Sequence, residues 1–196
     1  MTARPVPTPD DGLTLGILAG GRATRLAGRD KAWIERNGRP LVLALARRLA
    51  PEVDATLVSA NRNAERYLSH GLRAIHDRAA DIGPLGGIEA LAAACQTPWL
   101  LTAPVDVVNV NDCLLRSLRA AGTRGAWAED DDGPQPLIAL WSVHALRTEA
   151  ARALASGDFA VHALQSRLGM APVRFAGLRF GNLNTPDDLA AAGIAP

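Results

Sequence analysis

The sequence predicts an α/β fold: a three-layer, mostly parallel, Rossmann-like sheet with helices on both faces. Three observations carry this. Short apolar runs alternate with helix-like stretches through the first two-thirds of the 196 residues, which is how strand–helix crossover units read. The runs from Leu13 to Leu18 and from Trp99 to Ala103 are almost continuously apolar, as strands covered on both faces are. Hydrophobic types make up 48% of the chain, enough for a domain of this size to bury most of its surface without disulfide or metal support.

Residues 1–12, polar and proline-rich, read as a flexible leader, and 13–196 as a single domain. The first strand, Leu13 to Leu18, runs into Ala19-Gly20-Gly21, a glycine turn. Residues 22–39 follow as a basic loop without regular structure, carrying Arg22, Arg25, Arg29, Lys31, Arg36 and Arg39 against Asp30 and Glu35. Pro40 opens the helix LVLALARRLA. A second strand spans Ala55 to Ser59, a short helix Asn63 to His70, and a third strand Arg73 to His76, ending at Asp77. The turn-rich stretch from Ile82 to Gly87 leads into the helix IEALAAACQ. The fourth strand, Trp99 to Ala103, is expected to be central and ends in Pro104-Val105-Asp106. A helix near Asp112 to Ala121, strands over 125–128 and 137–141, helices near 143–156 and 159–168, a strand over 173–175 and a short helix over 186–192 complete the chain.

Charge excludes some classes of function. The 21 Lys+Arg nearly cancel the 20 Asp+Glu, so no overall field draws the chain to nucleic acid. No run of about 18 apolar residues offers a membrane span. The expectation is a soluble cytoplasmic protein. Cys95 and Cys113 lack CxxC spacing and read as two buried thiols. The four histidines lack the spacing of a metal site or nucleophilic triad, the four tryptophans read as core, and the acidic run 129–132 reads as a solvated loop. One bias stands out: Lys31 is the single lysine among those 21 basic residues.

In sheets of this kind ligands bind beyond the carboxyl ends of the strands. Gly20-Gly21, Ser59, Asp77 and Asp106 all fall at such ends and are expected on one edge of the molecule. Glycines let backbone N–H groups approach phosphate, although a Gly-Gly after a strand serves equally as an ordinary turn. Arg25 and Lys31 beside them tilt the balance: a forked guanidinium and a compact ammonium suit a triphosphate. The other arginines of that loop read as a solvated face. Asp106 reads equally well as a ligand for Mg²⁺, which is held by one or two carboxylates plus phosphates, or as a helix N-cap or turn aspartate. Gly83-Pro84-Leu85-Gly86-Gly87 suits backbone packed against a flat base or ribose, or a plain turn before a helix. Asn182 and Asn184 alternate, so they share one face of an extended segment. Thr185-Pro186 with Asp188 reads as a helix cap.

Together these motifs resemble the molybdenum cofactor guanylyltransferases. L-A-G-G-R-A-T-R-L-A-G-R-D-K over 18–31 is similar to the nucleotidyltransferase signature loop L-A-G-G-x-x-x-R-M-x-x-x-D-K. Gly38-Arg39-Pro40-Leu41, the 83–87 glycine stretch, Pro104-Val105-Asp106 and Asn182-Leu183-Asn184-Thr185-Pro186 follow in the family's order. The resemblance implies a nucleotide-diphospho-sugar transferase-like fold and transfer of GMP from GTP to molybdopterin, with Mg²⁺. It implies backbone contacts to the nucleotide from Leu18, Ala19, Gly20 and Gly21, and further contacts from Lys31, Ser59 with nearby Asn61, Asp77, Gly83 and Pro84. Asp106 matches the metal ligand. Arg25, Lys31 and Asp106 become the catalytic set. Asn182 and Asn184 match residues associated with the pterin side or the metal neighbourhood. Partners implied are GTP and molybdopterin, with the enzyme a monomer that transiently meets molybdoenzyme maturation proteins. The chain departs from the pattern at Leu26 (usually Met), Ser59 (usually Asn), Val107-Val108 (usually Asp-x-Pro) and Asp158 (usually basic). Alternatives are CTP or another phosphate acceptor, or a nucleotide-binding regulator without turnover.

Overall fold

Leu13–Leu18 forms the first strand, β1, buried at all six positions. Such a run needs cover on both faces and both edges, and in the computed structural model, which describes residues 12–20, 30–78 and 82–181, it has all four. β1 pairs in parallel with β4 (Ala55–Ser59) on one side and β6 (Trp99–Pro104) on the other. β5 (Arg73–Ile75) extends the sheet beyond β4, also in parallel. Beyond β6 come β8 (Gly133–Ser142), β7 (Gly125–Asp130) and β9 (Ala171–Arg174), giving the order β5-β4-β1-β6-β8-β7-β9. β8 is antiparallel to both neighbours, and the other four pairings are parallel. A separate hairpin, β2 (Glu35–Arg36) with β3 (Arg39–Pro40), precedes the first helix.

Helices cover both faces, as expected. α1 (Leu41–Leu49), α2 (Ala64–Ser69) and α4 (Leu114–Ala120) pack with Trp33, Leu15, Ile17 and Leu101 on one face. α3 (Pro84–Ala94), α5 (Val143–Ser156) and α6 (Val161–Leu168) enclose Leu18, Leu57, Leu100 and Trp141 on the other. Among the described residues no helix is long and apolar enough to cross a membrane.

Four expectations are corrected. The stretch 22–39 is not irregular throughout: Lys31–Trp33 is a 3-10 turn with Ala32 and Trp33 buried. Asn37-Gly38, both at positive φ (53° and 71°), then make a two-residue turn, the hairpin geometry that Asn-Gly favours. α3 starts at Pro84, so Gly86 and Gly87 are helical and buried rather than part of a preceding turn. Cys113 is exposed, because it sits at the N-cap of α4 one residue before the first buried leucine; only Cys95 is buried. Of the acidic run, Asp131 and Asp132 form an exposed turn as expected, but Glu129 and Asp130 belong to β7 and Asp130 is 0% exposed.

Candidate active site

Hydrogen bonds beyond the strand ladders hold the carboxyl ends of β1, β4 and β6 in register. The Ala19 N–H donates to Ser59 O (3.0 Å), and the Val105 N–H donates to Leu18 O (3.1 Å). The strand order reverses at β1, where crevices form in doubly wound sheets. The structure brings two carboxylate clusters to this edge.

The first cluster is built on Asp77. Its Oδ1 accepts from Ser59 Oγ (3.0 Å) and its Oδ2 from Asn61 Nδ2 (2.9 Å), while its own N–H donates to Asn61 Oδ1 (2.9 Å). Ser59 is 1% exposed, so its hydroxyl is a fixed part of the wall. Gly20 lies against this pair: a Cβ there would sit 3.6 Å from Ser59 Oγ and 3.8 Å from Asp77 Oδ2. Gly87 packs still closer, where a Cβ would meet Ser59 Oγ at 2.5 Å. The glycine at 87 therefore allows the first turns of α3 to approach β4, which explains it without a base or ribose. Gly83 precedes Pro84 at φ +67°, ψ −154°, backbone open in practice only to glycine.

The second cluster joins Lys31 and Asp106. Lys31 Nζ donates to Asp106 Oδ2 at 2.6 Å, across 75 residues of sequence. Asp106 is 6% exposed. Of its two plain structural readings the N-cap fails, since α4 begins only at Leu114, and the turn holds: the Val107 N–H donates to Pro104 O (3.2 Å) around Asp106. A nearly buried carboxylate needs a charged partner or strong hydrogen bonds, and Lys31 supplies one. Lys31 is aimed by its own turn: Asp30 Oδ1 accepts from the Ala32 N–H (3.1 Å) and caps the 3-10 helix.

Gly21, Arg25, Asn182 and Asn184 lie outside the described residues. The segment leading to 182 is nonetheless anchored by a group that sequence reasoning missed. Asp130 accepts from the Phe180 N–H (2.8 Å), the Asp132 N–H (2.9 Å) and Gln135 Nε2 (3.1 Å). Burial pushes the Asp130 carboxyl up, but these donors and the Gly133 N–H outweigh it and hold the pKa below the usual value. Phe180 O in turn accepts from the N–H groups of Val108 and Asn109 (3.0 and 3.2 Å), just past Asp106. Arg174 bonds Asp130 O, and its Nη2 also reaches Asp131 Oδ1 (2.8 Å). The turn at Asp131-Asp132, with Gly133 following it at φ 114°, was the available signal for this hairpin.

A cleft of about 630 Å³ lies away from all of these residues, lined by Cys95, Thr97, Trp99, Ser142, His144 and Arg147. It sits at the amino end of β6 and the carboxyl end of β8, the opposite end of the sheet from Asp106. Its arginine is already engaged: Arg147 donates to the carbonyls of Ala92, Ala93 and Cys95 at the end of α3.

A mostly parallel sheet with glycine backbone, two carboxylates and one ammonium gathered at the carboxyl ends of its strands is the arrangement of an α/β nucleotidyltransferase. The chain belongs to the MobA-like NTP transferase domain family, whose model matches residues 15–169. It is 40% identical over 192 residues to the molybdenum cofactor guanylyltransferase of Pseudomonas paraeruginosa, covering 93% of this chain and 96% of that one. It is 38% identical over 206 residues to the enzyme of the same name from Burkholderia ambifaria strain MC40-6, covering 97% and 98%. Among solved structures it resembles molybdopterin-guanine dinucleotide biosynthesis protein A from Archaeoglobus fulgidus, with TM-score 0.71, 25% identity and coverage of 91% and 96%. The 2-C-methyl-D-erythritol 4-phosphate cytidylyltransferase of Thermus thermophilus shares the fold, at TM-score 0.65, 17% identity and coverage of 90% and 95%.

Proposed function

We propose that this protein transfers GMP from GTP to molybdenum-bearing molybdopterin, releasing pyrophosphate and forming molybdopterin guanine dinucleotide. The observation that carries this reading is the Lys31–Asp106 contact of 2.6 Å at the carboxyl ends of the central strands. It supplies both charged groups the chemistry needs, and it accompanies full-length similarity to guanylyltransferases.

The terminal phosphate oxygen of the pterin attacks the α-phosphorus of GTP in line. A new P–O bond forms as the bond to pyrophosphate breaks. No covalent enzyme intermediate is needed, because positioning and charge neutralisation supply most of the rate. Backbone of Leu18, Ala19, Gly20 and Gly21 approaches the phosphates, and Lys31 with Arg25 neutralises them. Asp77, braced by Ser59 and Asn61, receives the nucleoside, with Gly83 and Pro84 flanking it. Asn182 and Asn184 serve the acceptor.

Asp106 would hold Mg²⁺, which supplies charge compensation between two anions when bound. The donor set fits: Mg²⁺ takes hard oxygen from one or two carboxylates and completes its shell with phosphates and water. Among the described residues no group of three or more His, Cys, Asp or Glu side chains could hold a metal ion. The protein acts as a cytoplasmic monomer that meets molybdoenzyme maturation proteins transiently.

A coupled pyrophosphate assay with GTP, Mg²⁺ and molybdenum-loaded molybdopterin tests this. Release that depends on both substrates, with CTP inactive, is expected. Release with CTP in preference to GTP, or none with either, would overturn it.

A further inference from the structure

Lys31 does not reach Asp106 by virtue of its own turn alone. That turn is clamped at both ends against α2 and the residue before it. At one end, Asn63 Nδ2 donates to Asp30 Oδ2 at 2.9 Å, leaving Asp30 Oδ1 to cap the Ala32 N–H. At the other end, the Trp33 ring packs on Tyr67 and His70, with centroids 5.0 and 5.3 Å away, and the Arg66 guanidinium lies 4.0 Å over it. Lys31 lies between the two fastenings, with Ala32.

Asn63 itself is set up for this. It occupies the N-cap of α2, where an Asn side chain ordinarily accepts from its own helix, yet it makes no side-chain cap bond there. Its backbone is left-handed, φ 58° and ψ 32°, a conformation that asparagine tolerates better than most residues. This turns its amide outward to Asp30. Along the same strand-exit segment Ser59 and Asn61 hold Asp77, so alternate residues 59, 61 and 63 serve the two carboxylate clusters.

We propose that Asn63 is a positioning residue for Lys31: through Asp30 it fixes the 3-10 turn that aims the ammonium at Asp106, 75 residues away. The catalytic consequence rests on the guanylyltransfer reading above, whereas the positioning does not. Asn63→Gly is the clean perturbation, because glycine keeps the left-handed backbone and removes only the amide. Asn63→Asp keeps the shape and puts an acceptor against the Asp30 acceptor.

The single lysine of the chain gives a substrate-free readout. Protein labelled with ¹³C,¹⁵N-lysine yields one set of side-chain NMR signals, and Asp106→Asn marks where they move when the ion pair is lost. Both Asn63 variants are expected to shift the Lys31 signals toward the Asp106→Asn position, with melting temperature close to the parent. Signals that superimpose on those of the parent in both variants would overturn the proposal. In turnover, Asn63→Gly is expected to lower kcat roughly 10-fold with a smaller change in KM for GTP, as misplacing a catalytic group does. The Asn63→Gly, Lys31→Ala double variant should be no slower than Lys31→Ala alone; multiplying penalties would show that the two act independently. Absence of GMP transfer by the parent would count against the guanylyltransfer reading and leave the NMR result standing.

Discussion

Adding one methyl group at Gly87 perturbs the site through packing alone. In Gly87→Ala the new Cβ would lie 2.5 Å from Ser59 Oγ, 3.1 Å from Leu18 Cδ2 and 3.2 Å from Ser59 Cβ. Ser59 cannot yield by leaving the wall, because it sits in β4 at 1% exposure. The relief open to it is rotation of its hydroxyl, which breaks the 3.0 Å bond to Asp77. Overpacking of this kind costs about 1–3 kcal/mol, and the lost hydrogen bond about 1 kcal/mol more. Alanine in a helix returns up to about 1 kcal/mol relative to glycine. The net expectation is destabilisation of about 1–3 kcal/mol, or a Tm lower by roughly 2–12 °C for a chain of this length, with weaker GTP binding because Asp77 has lost a brace. Thermal melts and calorimetric GTP titrations read both effects. Ser59→Ala removes the atom in conflict, so the double variant should melt above Gly87→Ala alone. A Gly87→Ala protein as stable as the parent, binding GTP as well, would refute the reasoning.

Two further substitutions probe the supports of the site. Trp33→Ala empties a core position under Arg66, Tyr67 and His70, and a loss of about 3 kcal/mol in denaturant unfolding is expected. Asp130→Asn puts an amide N–H among donors that now converge on a carboxylate, and should cost about 2–3 kcal/mol at neutral pH. Because the folded Asp130 pKa is depressed, its contribution is present above the ordinary carboxylate value of about 4 and fades as pH falls through the lower folded value. The gap in Tm between parent and Asp130→Asn should therefore narrow below about pH 4; a gap that widens in acid would contradict the assignment.

How far the sequence could be read depended on whether the signal was local. β1 and β6 were legible because strands covered on both faces are apolar at every position, and Asp106 was expected at the site edge because it ends a strand, whereas Lys31 was joined to it by its charge and by the signature loop that carries it. Asp77 with Ser59 was legible for the same reason as Asp106. What escaped was set by tertiary partners. Asp130 looks like one of four solvated acids until Phe180, 50 residues on, donates to it. Gly87 looks like a turn glycine until β4 is laid beside α3. Asn63 looks like a helix cap, and only the fold shows that its amide meets Asp30. β7 and β8 ran beyond their apolar runs, to Asp130 and from Gly133, because the ladder continues through the polar hairpin tip.

The most direct measurement is the rate of GTP-dependent pyrophosphate release by Asp106→Asn and Lys31→Ala, side by side with the parent under saturating Mg²⁺ and molybdenum-loaded molybdopterin. Each variant should keep its fold by circular dichroism and lose about 10²–10³-fold in turnover, the usual effect of deleting one preorganised electrostatic contact. Turnover near the parent's in either folded variant would contradict the assignment of that ion pair as the catalytic centre.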